Sequence, residues 1–339
     1  MSGIKTFDEL PRPRRGSAPP AARATREAPL IGVIRNTRSH RNTGREQGQA
    51  PGAEVIVEST QKRSELTEVL DRFAQKGIDY LAISGGDGTV RDVLTGGAEI
   101  FGDDWPTLIV LPKGKTNALA TDLGAPADWR LADAFEVART GKFAVRRPLV
   151  VASADDPQAR VQGFMLGTGV FHRTISLGQD AHRWGAFNSL AVGVTAAWAL
   201  GQAMLAGARN PWRQKSLMRL ADAQGRPLPG GDERYIMLAS TLERFALGLK
   251  PFGPLGGGLK VLALDTPARR SLLWVPAIAL GRLPDPPEAR GYHRLTTEAF
   301  EMEVGEPFIL DGEAFPPGRY RVSLGPPLHR AALLLMVLR

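Results

Sequence analysis

Cysteine is missing from all 339 residues. Disulfides, thiolate metal sites and a cysteine nucleophile are thereby excluded, and the composition suits a reducing compartment. Histidine is scarce: five are present, none at metal-ligand spacing, and His-Glu-x-x-His does not occur. Gly-x-Ser-x-Gly, the nucleophile turn of many serine hydrolases, is also missing. No apolar leader opens the chain, which begins polar and proline-rich, so secretion is not expected and a cytoplasmic setting is. One stretch, Trp184 to Ala208, carries no charge, but Asn188, Ser189, Thr195, Gln202 and glycines at 185, 193, 201 and 207 interrupt it. A span needs ~20 predominantly apolar residues, so this stretch reads as a buried or interfacial helix.

Basic residues are plentiful. Net charge is +8, which fits an anionic partner such as a polyphosphate or an anionic membrane surface. Nine arginines and a single acid, Glu27, lie between Arg12 and Arg45. Residues 1–28 therefore read as a disordered basic tail, with a peripheral tether to the inner face of a membrane as the functional alternative. Phe7 is the tail's single aromatic residue, which argues against nucleic-acid binding by base stacking.

Hydrophobic residues make up 43% of the chain, enough to bury a core. Apolar runs at Leu30–Ile34, Val55–Val57, Tyr80–Ile83 and Leu108–Leu111 read as strands. Leu66, Val69, Leu70 and Phe73 share one helix face, Gly77 closes that helix, and a second helix is expected over Val90–Ile100. Such alternation predicts an α/β domain, a parallel sheet covered by helices, over 29–146. From Arg147 onward short strand-like segments separated by Gly and Pro predict a mainly β second domain over 147–339, with helices near 187–206 and 271–281. The last apolar strand, Ala332–Leu338, packs back on either domain.

In parallel sheets ligands sit at the carboxyl ends of the strands, and two glycine-bearing turns fall there. Ser84-Gly85-Gly86-Asp87-Gly88-Thr89 lies between the third strand and a helix. Its glycines let backbone N–H groups approach a bulky anion, and the helix adds its positive end. Asp87 suits Mg²⁺ coordination or proton acceptance from an attacking hydroxyl; Thr89 can donate a hydrogen bond. The structural alternative is an Asp-Gly turn with Thr89 as a helix cap. The second turn, Pro112-Lys113-Gly114-Lys115-Thr116-Asn117, adds two cations, with Thr116 or Asn117 as a candidate cap.

The two turns together resemble the diacylglycerol kinase catalytic family, which includes sphingosine and ceramide kinases. The family pattern is Gly-Gly-Asp-Gly-Thr, then Pro-x-Gly-Thr-x-Asn-x-x-Ala. Gly85–Thr89 match the first element, and Pro112, Gly114, Asn117 and Ala120 the second. Leu30–Asn36 resembles the family's first strand, Thr60 falls at its nucleotide-contacting threonine, and Gly167-Thr168-Gly169 resembles the opening of its second domain. Leu310-Asp311-Gly312-Glu313 matches its Asp-Gly-Glu.

The resemblance implies ATP and Mg²⁺ as cofactors, a neutral lipid acceptor such as diacylglycerol or a ceramide or sphingoid lipid, and peripheral membrane association; it leaves a homodimer open. It implies that Asn36, Thr60, Gly85, Gly86, Asp87, Gly88, Thr89, Gly114, Lys115, Thr116 and Asn117 meet the nucleotide. Asp87 would act near the metal or hydroxyl, and Glu313 would be the general base, supported by Asp311.

Three departures stand out. Lys115 replaces a threonine, Arg91-Asp92 replaces Asn-Glu, and Gly256-Gly257-Gly258 lacks the acid tied to a second Mg²⁺. Arg91 reads either as a phosphate partner or as a surface residue. Two other functions stay open: a nucleotide- or lipid-binding regulator, and a kinase for a soluble acceptor such as NAD.

Overall fold

The computed structural model describes residues 5, 7–11, 21, 26–37, 39, 49–141, 143–182, 198–205, 207 and 209–332. The chain divides into two compact units, Asp8–Pro148 with Pro326–Arg339, and Met1–Phe7 with Leu149–Gly325.

The first unit carries β1 (Leu30–Asn36), β2 (Glu54–Thr60), α1 (Arg63–Gln75), β3 (Tyr80–Gly85), α2 (Asp87–Phe101), β4 (Thr107–Pro112), α3 (Ala118–Leu123), α4 (Leu131–Arg139) and β5 (Phe143–Arg146). Its sheet has the order β2-β1-β3-β4, then the late strand Leu328–Ala332, then β5. The first four strands are parallel throughout. They read as continuous apolar runs because helices cover both faces of the sheet. On one face Ile31, Val33, Ala82, Ile109 and Leu111 pack against Leu131, Ala134, Phe135 and Ala138 of α4. Leu66, Val69, Leu70 and Phe73 of α1 are buried, as the periodicity requires. At its end Gly77 takes φ 56°, its N–H bonds to the Ala74 carbonyl, and that of Ile78 to Phe73. That pair of bonds is a Schellman closure, which favours glycine at this position.

The expected final strand starts earlier than its apolar pattern suggests. Leu328–Ala332 runs parallel to β4 and antiparallel to β5, so the chain returns to the first unit's sheet; 333–339 lie outside the described residues. Of the stretch read as a tail, several of the described residues are seated. Lys5 N–H donates to the Ala314 carbonyl, Phe7 stacks near Phe315 and Tyr320, and Arg26 pairs with Asp79. An aromatic ring and an available main-chain acceptor anchor what composition alone reads as solvated.

The second unit is built of β6 (Leu149–Ser153), β7 (Arg160–Gly163), β8 (Met165–Gly169), α5 (Val170–His182), β9 (Ser216–Asp222), β10 (Glu233–Arg234), β11 (Ile236–Ser240), β12 (Leu259–Leu264), β13 (Tyr292–Thr297), β14 (Ala299–Val304), β15 (Phe308–Leu310), β16 (Glu313–Phe315) and β17 (Gly318–Leu324). They form two antiparallel sheets, β10-β9-β14-β17-β6-β7 and β13-β12-β11-β8-β15-β16. The expected helix over 187–206 is described only at 198–205, where it is helical. That expected over 271–281 is two short helices, Arg269–Leu272 and Val275–Ala279, the second opening with Pro276 in its first turn. Proline lacks the N–H that a continuous helix would need there. Among the described residues no helix is long and apolar enough to cross a membrane.

Candidate functional site

Four adjacent parallel strands end together in the first unit. Asn36 on β1 is in register with Thr60 on β2, Arg35 with Ser84 on β3, and Gly85 on β3 with Pro112 on β4. The sequence therefore brings Asn36, Thr60, the 84–89 turn and the 112–117 turn to one edge. Thr60 is buried, and the Asn36 side-chain amide donates to the Thr89 hydroxyl at 2.8 Å.

The two glycine turns touch each other. A Cβ placed on Gly86 would lie 2.9 Å from the Cα of Gly114. Only backbone fits between them, which explains glycine in both turns at once. The Lys113 N–H donates to the Gly85 carbonyl at 3.0 Å, extending the ladder into the second turn. Gly86 caps α2 without a side-chain bond, so its backbone, with that of Gly88, supplies N–H groups ahead of the helix's positive end.

Asn117 does not cap its own helix. It stands in the left-handed region at φ 51° and closes the turn onto Gly114 instead. Its Oδ1 accepts from the Gly114 N–H at 2.8 Å and its Nδ2 donates to the Gly114 carbonyl at 2.9 Å. The cap of α3 comes from elsewhere in the chain. Asp87 accepts from the Leu119 N–H at 3.2 Å, and the amides of Ala118 and Asn117 act on the same carboxyl. Burial raises the Asp87 carboxyl above its ordinary value, against the lowering effect of those amides. Asp87 thus ties the first glycine turn to the second, a duty invisible in the motif. Lys113 reaches the Trp129 carbonyl at 3.4 Å, while Lys115 and Thr116 are exposed.

Arg91 is not a surface residue: it is fully buried. Its guanidinium donates to Asp92 Oδ1 at 2.8 and 3.2 Å, and Arg63 donates to Asp92 Oδ2 at 2.7 Å. The Arg91-Asp92 departure is a buried ion pair joining α2 to the start of α1. A second ion pair, half-buried Arg146 with buried Asp122 at 2.5 Å, fastens α3 to β5.

The other candidate residues lie in the second unit. Asp311 (φ 45°) and Gly312 (φ 83°) make the two-residue turn joining β15 to β16, and Leu310 pairs with Glu313 across it. Positive φ at both positions is the hairpin turn that Asp-Gly favours. The Asp311 carboxylate accepts from the Phe164 and Met165 amides at 3.0–3.2 Å, and its own N–H donates to the Met165 carbonyl. Glu313 follows, half-buried at the start of β16. On β8, Thr168 is buried and donates to the Pro307 carbonyl at 3.2 Å.

Among the described residues no three His, Cys, Asp or Glu side chains gather, and Asp87 already serves the α3 amides. At Gly256–Gly258, Glu243 accepts from the Gly257 N–H and pairs with Lys260.

The parallel sheet with helices followed by an antiparallel β unit is a fold that solved structures share. A Bacillus anthracis diacylglycerol kinase crystal structure superposes with a TM-score of 0.63 over 93% of this chain and 100% of its own, at 15% identity. Residues 33–145 match the family model of the diacylglycerol kinase catalytic domain. The Bacillus subtilis protein named diacylglycerol kinase is 32% identical over 104 residues, 31% of this chain and 32% of its own. The Shigella flexneri protein named probable lipid kinase YegS is 32% identical over 75 residues, 22% of this chain and 25% of its own. The matched stretches thus span about a quarter to a third of these relatives.

Proposed function

We propose that the protein is an ATP-dependent lipid kinase that phosphorylates a hydroxyl of a neutral lipid, either diacylglycerol or a ceramide or sphingoid lipid. The observation that carries this reading is the pair of touching glycine turns at the ends of parallel strands, within the segment that matches the kinase family. Phosphoryl transfer needs mainly positioning and charge stabilisation. The backbone of Gly85, Gly86 and Gly88, with Thr89 held by Asn36, cradles the phosphates. Thr60, Gly114, Lys115, Thr116 and Asn117 complete the nucleotide contacts. Asp87 is the loop carboxylate that would hold Mg²⁺ brought with ATP, and the ion would supply charge neutralisation at the phosphates.

Glu313 is the general base. It takes the proton of the acceptor hydroxyl as that oxygen bonds to the γ-phosphorus and the bond to the ADP oxygen breaks. Asp311 holds the turn that presents Glu313. The enzyme works in the cytoplasm at the inner face of a membrane.

The test is incubation of purified protein with Mg²⁺ and γ-labelled ATP against diacylglycerol, ceramide, sphingosine and NAD. Label in an extractable phospholipid supports the reading. Label in NADP makes the protein a kinase of soluble acceptors, and no labelled product makes it a binding protein.

A further inference from the structure

Among the described residues of the second unit, the exposed large apolar side chains do not scatter. Trp198, Leu205, Leu247, Leu249, Leu273 and Leu280 all fall in three segments, 198–205, 244–250 and 269–282. These segments are joined: the Arg269 guanidinium donates to the Met204 carbonyl at 2.9 Å, and the Lys250 N–H to the Ala279 carbonyl at 2.7 Å. All three rest on one buried cluster that includes Ala203, Phe252, Leu272 and Ile278.

Each helical segment inverts the pattern expected of a water-facing helix. Over 198–205, Ala199 and Ala203 are buried, while Trp198 and Leu205, seven residues apart on one face, point outward. Over 269–282, Leu272 and Ile278 are buried while Leu273 and Leu280, each closing one of the two short helices, are exposed. Single exposed leucines are ordinary; a joined set is a docking surface.

Leu247 adds an independent sign. It is 80% exposed and stands at φ 58°, ψ 19°. That left-handed conformation suits glycine or asparagine and costs energy for leucine. Among the described residues no apolar partner encloses it, and it stays open to water.

Charge selects the occupant. The three segments contain Arg244, Lys250, Arg269, Arg270 and Arg282 and no acid. Leucine and tryptophan beside arginine and lysine, without carboxylates, match the interface of an anionic bilayer, where apolar side chains enter the acyl boundary and cations meet headgroups. We infer that this face docks the second unit onto an anionic phospholipid surface. The purpose of such docking rests on the lipid-kinase reading; the geometry of the face does not.

Vesicle co-sedimentation of the full chain without nucleotide tests it, using phosphatidylcholine vesicles with and without phosphatidylglycerol. The wild type is expected to bind the anionic vesicles more tightly. Leu247→Asn with Leu273→Gln should weaken that binding at least ~10-fold. Leu247→Asn alone should leave the melting temperature unchanged or raised, because asparagine suits the left-handed conformation. Lys250→Glu with Arg270→Glu should also weaken anionic binding ~10-fold or more and reduce its salt dependence. Unchanged vesicle binding in the leucine pair would overturn the inference. So would a dimer in solution that the leucine pair dissolves, which would seat a second copy on the face. Vesicle binding by wild type with no lipid phosphorylated would uphold this face and remove the kinase reading alone.

Discussion

The side-chain amide of Asn36, at the end of β1, donates to the hydroxyl of Thr89 on α2 at 2.8 Å. One bond thus fixes the last hydroxyl of the glycine turn against the neighbouring strand. Thr89→Val keeps the shape and removes the bond. It should lower stability by about 1 kcal/mol and weaken ATP binding ~10-fold, readable by calorimetric titration with a non-hydrolysable ATP analogue. Unchanged affinity would take Thr89 out of the nucleotide site.

The touching turns give a steric prediction. Gly86→Ala places a methyl 2.9 Å from the Cα of Gly114, so one turn must move. A cost of about 1–3 kcal/mol is expected, together with loss of measurable nucleotide binding. Thermal melts and the same titration check both.

Asn117 separates two effects. Asn117→Gly keeps the left-handed backbone but loses both bonds to Gly114. Asn117→Ala loses the bonds and also strains the backbone, so it should be less stable than Asn117→Gly by about 1 kcal/mol. Urea titrations of the two variants give that difference directly.

Asp87 links pH to stability. Burial raises its carboxyl from 3.8, so the folded chain holds a proton that the unfolded chain has already released. The contribution is present below 3.8 and is lost as pH rises through the folded value. Relative to Asp87→Asn, the wild type should therefore lose stability as pH climbs from that value. A parallel pair of denaturation curves across acid pH tests the sign. Asp87→Asn should also cut turnover at least ~100-fold.

Motifs and strands of the first unit are legible because their signals are local. Three glycines stand within five residues, and apolar runs are bounded by polar turns. What stays hidden is long-range. Asp87 caps a helix that begins 31 residues later, and its motif gives no sign of that partner. Asp311 serves the amides of Phe164 and Met165, about 147 residues upstream. Arg91 reads as either a ligand or a surface side chain until its burial against Asp92 is seen. Short strands such as β5 and β9 pair across distances that alternation alone cannot assign.

Asp311 and Glu313 should part company under mutation. Asp311→Asn removes charge from bonds to two amides and should cost about 1–2 kcal/mol, while asparagine tolerates the positive φ. Glu313→Gln should leave the melting temperature near that of the wild type and reduce kcat at least ~100-fold. Glu313→Gln at full rate would remove the base assignment.

The most direct measurement is phosphorus NMR of purified protein with Mg²⁺-ATP and each candidate lipid in mixed micelles, run beside Gly86→Ala. The expected result is a phosphomonoester resonance from the lipid that grows as the γ-phosphate signal falls, with no such growth in the variant. ATP left intact with every lipid, or converted only to ADP and inorganic phosphate, would contradict the account.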